Sequence, residues 1–545
     1  MRLAINTTIL EHFYFLRFEV ENHFDLVEVY VTQPKGAVAQ RLIDRKGYRS
    51  TLLEKVELAV AMDVHRRKVD GTGFQQSKSL ERLASLLDRL GHACLEVTDI
   101  RSLEKLSNKD LKGDLKDDLK GNLKAYAKVI RSIGKSLKLV TIKLDNANTR
   151  QGLKIGRRIP KLLARLPETS STGACAVLDF QIRRMVYLLS ALADALLAAH
   201  FGPAVRLQNY KQLRQAAHAM ADQDAGFSVE RLALTRSGST IATLKAEHAD
   251  SGEVMAVYKE GQSKKVIEEL SGVDQWNEVY PKVAPTVLSH HVEKGDKLSS
   301  MVIEHLPGHT LESLLLNHQW DAARQLTDKL QKTLRKIWKS SRTAETAQPG
   351  YMQQLRKRLP ESQHTHPGLF NEGQRICGLS RPSFDQLIDH VGSLEKQLKA
   401  PFSVLIHGDF NVDNIIYDDI KDRIYFIDLH RASYSDYVQD LSVLMVSIYR
   451  LPILDAAPRA ELMGLIHQLY QFARRFAKSN KDTGFDARLA IALGRSFATS
   501  TRFIYDRQFA SALALRASYL LEAITLVNPH ALDTYQLPLE DIFHD

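Results

Sequence analysis

The sequence predicts an α+β protein made of several domain-sized units, and three observations carry that prediction. The chain has 545 residues, room for three or four units of about 150 residues each. Its residues are 44% hydrophobic and 25% charged, the balance of a globular chain rather than a disordered or fibrous one. Short β-like runs gather at residues 1–35 and again from about 227 to 306, while helical periodicity fills most of the remainder.

The first β-like region holds FYFLRFEV and FDLVEVYV on either side of the polar residues Glu21, Asn22 and His23. Aromatic and β-branched runs flanking a polar break predict a hairpin, so residues 1–49 are expected to form a small β-rich element. Residues 50–225 read as a mostly helical domain. LLEKVELAVAM and SLERLASLLDRL place apolar residues three and four apart, the spacing of one helix face. In residues 109–125, Leu111, Leu115, Leu119 and Leu123 recur every fourth position. Gly113 and Gly121 would weaken a helix there by about 1 kcal/mol each, so an exposed arm or connector is expected. The most apolar stretch, Met185–Phe201, carries Asp194 in its middle. It falls short of the roughly 20 apolar residues that span a bilayer and reads as a buried helix, with no stable membrane span.

Net charge is +10, unevenly placed. Residues 1–225 contain 37 Lys and Arg against 25 Asp and Glu, a balance of +12; the rest, with 37 against 39, carries −2. A basic first half can attract an anionic partner such as nucleic acid, anionic lipid or an acidic protein. Three widely spaced cysteines, Cys94, Cys175 and Cys377, exclude a disulfide framework and a Cys-rich zinc site. With no signal-peptide pattern at the N-terminus, a cytoplasmic location is expected. Among the first 225 residues no metal-ligand or nucleophile constellation stands out.

After Asp222–Ser228 the pattern changes. VERLALT, TIATLKAEH and EVMAVYKEG predict three successive strands, SKKVIEELSGVDQW a helix, and PTVLSHHVE with SSMVIEHL two further strands. Beyond Pro307 the chain reads as helical apart from a strand pair near 404–428. Within that pair lie HGDFNVDNIIYDD, from His407, and IYFIDLHRAS, from Ile424. Transfer of a phosphoryl group from ATP needs a carboxylate to receive the acceptor's proton, oxygen ligands for Mg²⁺, and cations for the phosphates. Asp409 and Asn414, five apart, can serve as carboxylate and metal ligand on one loop. Asp428 ends an apolar strand 14 residues after Asn414, and a hairpin would return its charge to the same metal.

These segments resemble the aminoglycoside phosphotransferase family of the protein-kinase-like fold. His407, Gly408, Asp409 and Asn414 match the family's catalytic-loop pattern in full, and Asp428 matches its metal-binding aspartate. The resemblance covers about residues 227–545 and implies a bilobal domain, with a β-rich small lobe over 226–306 and a helical large lobe over 307–545. It implies ATP and Mg²⁺ as cofactors, Asp409 as base, and Asn414 and Asp428 as metal ligands. Lys259, after the strand MAVY, resembles the phosphate-binding lysine. Glu269 is chosen as its partner, with Glu268 nearly as good a candidate. The turn residues Ser237, Gly238 and Ser239 resemble a phosphate-binding loop, although only one glycine is present. Glu304, His305 and Leu306 resemble the hinge that meets adenine. Asp440, with Asp436 as the other candidate, resembles the aspartate that receives hydrogen bonds from the catalytic loop.

Only 11 residues separate Asp428 from Asp440, too few for a long activation segment. The expected activity is therefore an ATP-dependent phosphotransferase acting on a hydroxyl of a small-molecule acceptor such as a sugar, amino alcohol or antibiotic. The alternatives are a protein kinase or autokinase, and a nucleotide-binding regulator. IDLHRA is also similar to the metal-aspartate segment of lipopolysaccharide core-sugar kinases. Its His430 and Arg431 are expected to brace the catalytic loop rather than meet an acidic substrate.

Overall fold

The computed structural model describes residues 7–67, 71–98, 114–140, 147–167, 173–201, 205–214, 227–234, 240–246, 254–292, 298–370 and 372–544. Packing divides the chain into two units, Met1–Lys259 and Glu260–Asp545.

The first unit begins with helices α1 (Thr7–Thr32), α2 (Gly36–Asp44), α3 (Lys46–Arg67) and α4 (Gly71–Thr98). After these come α5 (Asp114–Leu137), α6 (Ala147–Gly156), α7 (Ile159–Leu163) and α8 (Gly173–Phe201). The β-rich element expected over residues 1–49 is therefore corrected: α1 is one continuous helix. Ile9, Phe13, Leu16, Val20, Phe24, Val27 and Val31 are all buried, and their spacing of three and four makes a single helical stripe. Packing of that stripe against α3, α4 and α5 overrides the β propensity of the aromatic and branched residues. The polar break lies inside the helix, where Glu21 pairs with Arg17 at 3.1 Å and His23 is fully buried beside Glu19 at 3.3 Å.

The leucine-repeat segment is corrected in part. From Asp114 it is the start of α5, whose later residues Tyr126, Val129, Ile130, Ile133 and Leu137 enter the core; Leu111 and Gly113 lie outside the described residues. Burial of that face outweighs the glycine cost. The apolar stretch is helical as expected, with Met185, Leu189, Leu192 and Leu196 buried on α8. Asp194 is tolerated there because its Oδ1 accepts the Leu207 N–H at 2.8 Å, while burial pushes its carboxyl up. No described helix is long and apolar enough to cross a membrane.

Strands β1 (Phe227–Leu234) and β2 (Thr240–Ala246) pair antiparallel, with a bulge between Arg231 and Ala233. Helix α8 touches β1, which draws these strands into the first unit. The division falls inside β3 (Val254–Gln262).

The second unit opens with α9 (Ser263–Val279) and the antiparallel pair β4 (Val287–His291) and β5 (Leu298–Glu304). Next come β6 (His309–Thr310), α10 (Leu311–Leu316), α11 (Trp320–Ser340) and α12 (Tyr351–Thr365). A small hairpin, β7 (Gln374–Ile376) with β8 (Leu379–Arg381), precedes α13 (Phe384–Glu395) and β9 (Val404–Ile406). A 3₁₀ turn, Val412–Asn414, leads into β10 (Ile415–Asp418), β11 (Arg423–Phe426) and β12 (Ser433–Ser435). The chain ends in α14 (Val438–Tyr449), α15 (Ala456–Ser479), α16 (Phe485–Ser500), α17 (Arg507–Thr525) and α18 (Leu539–Ile542), with a 3₁₀ turn at Thr501–Phe503. From β1 onward, three strands, one helix and two strands precede a mainly helical remainder. That is the element order expected from the sequence beyond residue 226.

Two small ladders set the site. β10 pairs with β11 on one side and β6 on the other, and β12 pairs with β9. Beneath them Trp338 packs on Tyr437, Phe472 and Phe476 with ring centroids 4.9–5.5 Å apart. The buried Arg488 donates to Asp436 at 2.8 Å and to both Asp482 oxygens at 2.9 and 2.6 Å.

Candidate functional site

Strand β9 is three fully buried aliphatic residues, Val404, Leu405 and Ile406, and it delivers His407, Gly408 and Asp409 at its end. Gly408 has φ +80°, and a Cβ there would overlap the carbonyl oxygen of Arg431. Only glycine accommodates both the left-handed backbone and that close approach. Asp440, at the start of α14, accepts the His407 N–H at 2.6 Å and the Gly408 N–H at 2.9 Å. Asp436 instead meets Arg488 and the Val438 N–H. Of the two aspartates considered, Asp440 is thus the one bound to the loop. Burial pushes its carboxyl up to about 7 against the pull of the two N–H donors.

The imidazole of His407 is buried, and burial lowers its basicity. Its Nδ1 accepts the Asp409 N–H at 3.3 Å and its Nε2 lies 2.9 Å from the Ile427 carbonyl oxygen. The acceptor role of Nδ1 assigns the proton to Nε2, which donates to Ile427. A neutral His407 therefore ties the Asp409 loop to the residue just before Asp428. A second tie runs from the Ile427 N–H to the Asn414 carbonyl oxygen, at 3.1 Å. Asp409, Asn414 and Asp428 are thereby held in one constellation by the His407 imidazole and one main-chain bond.

Around Asp409, Asn411 Nδ2 donates to Oδ1 at 2.9 Å and Arg431 meets Oδ2 at 3.0 Å. Asn414 Nδ2 donates to the Asp409 carbonyl oxygen at 2.8 Å, which leaves the amide oxygen as the group free to face a cation. Asp428 has φ +65°, a conformation that aspartate tolerates better than most residues. Its carboxylate, about 40% exposed, has His430 Nδ1 at 3.3 Å. Oxygen donors of this kind suit Mg²⁺, which binds through one or two carboxylates and substrate phosphates rather than an all-protein cage. His430 and Arg431 thus each meet one of the two aspartates. Sequence reasoning missed Asn411, whose only signal was its place two residues after Asp409.

Helix α9 is seated on the same segment. A Cβ at Gly272 would overlap the Leu429 carbonyl oxygen, and Trp276 packs edge-on to Phe426 at 5.3 Å. Glu269 lies one turn before Gly272 on the buried face, whereas Glu268 is exposed and 3.9 Å from Lys264. Of the two candidates, Glu269 occupies the packed side. Lys259, on β3, is buried.

The Glu304–Leu306 segment leads into β6, which pairs with β10. The Glu304 N–H donates to Thr286 O, and Glu304 Oε1 accepts the Thr286 N–H, both at 2.9 Å. That N–H is therefore engaged in the sheet, and burial lowers the basicity of His305. Leu306 is buried. Gly308, at φ +103°, abuts the Tyr417 carbonyl, and β6 then pairs with β10. Ser237, Gly238 and Ser239 lie outside the described residues.

Residues 273–476 match the family model described as the phosphotransferase enzyme family; the N-terminal part is not recognised by it. No curated relative matches the chain. Among solved structures, a thermostable mutant of aminoglycoside phosphotransferase APH(4)-Ia, in a ternary complex with AMP-PNP and hygromycin B, is 13% identical. It covers 56% of this chain and 95% of its own, with a TM-score of 0.35. Aminoglycoside phosphotransferase APH(3'')-Id from Streptomyces rimosus is 17% identical, covering 59% and 99%, with a TM-score of 0.31. An aminoglycoside-3'-phosphotransferase of type VIII is 14% identical, covering 54% and 100%, with a TM-score of 0.33.

Proposed function

From the match of residues 273–476 to the phosphotransferase family, we propose that this protein transfers the γ-phosphoryl group of ATP to a hydroxyl of a small molecule. The supporting observation is the constellation around Asp409. One carboxylate is oriented by Asn411 and Arg431, and its loop is tied to Asn414 and to the residue before Asp428 by the Asn414 amide, the His407 imidazole and the Ile427 N–H. Asn414 and Asp428 would hold Mg²⁺, whose charge offsets that of the nucleotide phosphates.

In this reading Asp409 accepts the proton of the acceptor hydroxyl. The hydroxyl oxygen bonds to the γ-phosphorus while the bond to the β-phosphate oxygen breaks, releasing ADP. Arg431 and Asn411 fix the carboxylate, so that no reorientation is needed at the moment of transfer. Lys259 and Glu269 are the residues proposed to serve the nucleotide phosphates. The Glu304 carbonyl, His305 and Leu306 would meet adenine. Residues 226–306 and 307–545 are the proposed nucleotide-clasping and acceptor-binding portions. The short path from Asp428 to Asp440 is occupied by β12, paired to β9, which favours a small acceptor over a protein one.

The test is ADP release by the full chain with ATP, Mg²⁺ and a panel of hydroxylated acceptors. Asp409→Ala should lower turnover by roughly 10²–10⁴ with nucleotide affinity retained; wild-type turnover in that variant would remove Asp409 from the mechanism. The basic residues 1–225 remain the proposed place for an anionic partner, whose binding should weaken steeply with salt.

A further inference from the structure

Four arginines act electrostatically on Asp409 from four different segments of the second unit, and a fifth, Arg450, reaches the neighbouring Asn411. Arg431 follows the Asp428 turn, Arg358 lies on α12, Arg450 caps α14, Arg495 lies on α16, and Arg502 sits in the 3₁₀ turn after it. Helix α12 packs on α16 and on that turn, and α14 packs on α16, so the fold itself gathers these side chains. Three have protein partners: Arg431 meets Asp409 at 3.0 Å, Arg450 donates to Asn411 Oδ1 at 3.1 Å, and Arg502 meets the exposed Glu361 at 3.1 Å.

The other two are under-compensated. Arg358 has no hydrogen bond and no ion pair within 4.0 Å among the described residues. Burial, with Arg431 and Arg502 nearby, disfavours its charge. Arg495 is 4% exposed and its Nε is buried without a hydrogen-bond partner. Among the described residues its hydrogen-bond partner is Ser442 Oγ at 3.3 Å, the Tyr351 ring lies 5.4 Å away, and burial pushes it down to about 10 despite Asp409 and Glu395.

The carboxylates facing this group do not cancel it. Asp409 is shared by Arg358, Arg431, Arg495 and Arg502. Glu395 is held by the Tyr351 and Met352 N–H groups, Asp440 by those of His407 and Gly408, and Asp428 has His430. Burial pushes Asp413 towards its neutral form. Burying a guanidinium without a counter-charge is costly, and a fold that gathers several beside its reactive carboxylate is poised for an anion.

We infer that the acceptor is itself an anion, a hydroxylated molecule carrying a phosphate or carboxylate that Arg358 and its neighbours bind while its hydroxyl faces Asp409. This deepens the proposed function and rests on it for the role of Asp409. Arginine suits the task because its planar fork meets both phosphate and carboxylate oxygens in pairs. A polycationic acceptor such as an aminoglycoside would be repelled by the same group.

The experiment is equilibrium binding to the full chain in saturating Mg²⁺ and ADP, with glucose 6-phosphate, glucuronate, glucose and kanamycin as probes. One or both anionic probes should bind at least about tenfold more tightly than glucose or kanamycin. Arg358→Gln should lose about tenfold of that affinity, the loss of one charge-assisted hydrogen bond, with Arg358→Lys recovering part of it. Arg502→Gln, on a different element, provides the same test should the first variant fold poorly. Equal binding of glucose, preferred binding of kanamycin, no binding of either anion, or anion binding unchanged in both glutamine variants would each overturn the inference. Nucleotide affinity, measured separately, reports on the proposed function: anion binding without nucleotide binding would defeat that function and leave the anion site standing.

Discussion

The carboxylate of Asp440 holds the backbone of His407 from beneath, its Oδ2 accepting the His407 N–H at 2.6 Å while Oδ1 takes that of Gly408. One buried side chain thereby fixes two consecutive peptide planes just ahead of Asp409. A carboxylate in this place costs desolvation free energy that only ionic hydrogen bonds offset.

That arrangement has a pH signature. The folded value for Asp440, about 7, lies above the ordinary 3.8, so the folded protein binds this proton more tightly than the unfolded one. The resulting stability is fully present below about pH 4 and is lost as pH rises through about 7. Asp440→Asn does not titrate. The stability difference between wild type and Asp440→Asn, from thermal unfolding of the nucleotide-free protein, should therefore shift against the wild type as pH rises from 4 to 8. A difference that is flat with pH would contradict the raised value.

Gly408→Ala should be severe. It places a Cβ at φ +80°, costing on the order of 1–3 kcal/mol in strain, and against the Arg431 carbonyl. Displacing Asp409 by about 1 Å should lower turnover roughly 10²-fold. Gly464→Ala on α15, where a Cβ meets nothing within 4 Å, is the control. It should keep full turnover and gain about 0.5–1 kcal/mol of stability.

Asp428→Asn should weaken Mg²⁺-dependent nucleotide binding on the order of tenfold, since a charged oxygen ligand becomes a neutral one. Metal-free nucleotide binding should change little. Titration with and without Mg²⁺ separates the two, and an unchanged Mg²⁺ dependence would remove Asp428 from the metal site.

Arg488→Ala should destabilise the second unit by about 3–5 kcal/mol, because Asp436 and Asp482 would be left buried without their counter-charge. Denaturant unfolding followed by tryptophan fluorescence is a direct readout, since Trp338 packs on Tyr437, whose hydroxyl donates to Asp482 at 2.7 Å.

Much of the catalytic segment was legible in sequence because its chemistry is local. Asp409, Asn414 and Asp428 sit on one short loop-and-hairpin unit, where residue type and spacing carry the geometry. The arginines were not legible. Arg358, Arg450, Arg495 and Arg502 are spread over some 145 positions, and only the packing of α12 against α16 and its following turn gathers them. The N-terminal helix was misread for a related reason. Local propensity in FYFLRFEV favours a strand, but the three- and four-residue spacing of Phe13, Leu16, Val20 and Phe24 is satisfied only once α3, α4 and α5 supply a face to bury it.

The pairing of β6 with β10 limits how the chain can change its length. Thr310 lies opposite Ile416 and His309 opposite Tyr417, while Gly308 is wedged against the Tyr417 carbonyl. One residue inserted between Pro307 and Thr310 would slip this register by about 3.3 Å and turn every side chain of β6 to the opposite face. The β7–β8 hairpin turns at Cys377–Gly378, both at positive φ, where a Cβ on Gly378 would meet no atom within 4 Å and an added residue would lengthen only the turn. Length variation among descendants of this chain should therefore collect at Cys377–Gly378 and be absent from Gly308, His309 and Thr310, which couple Leu306 to β10.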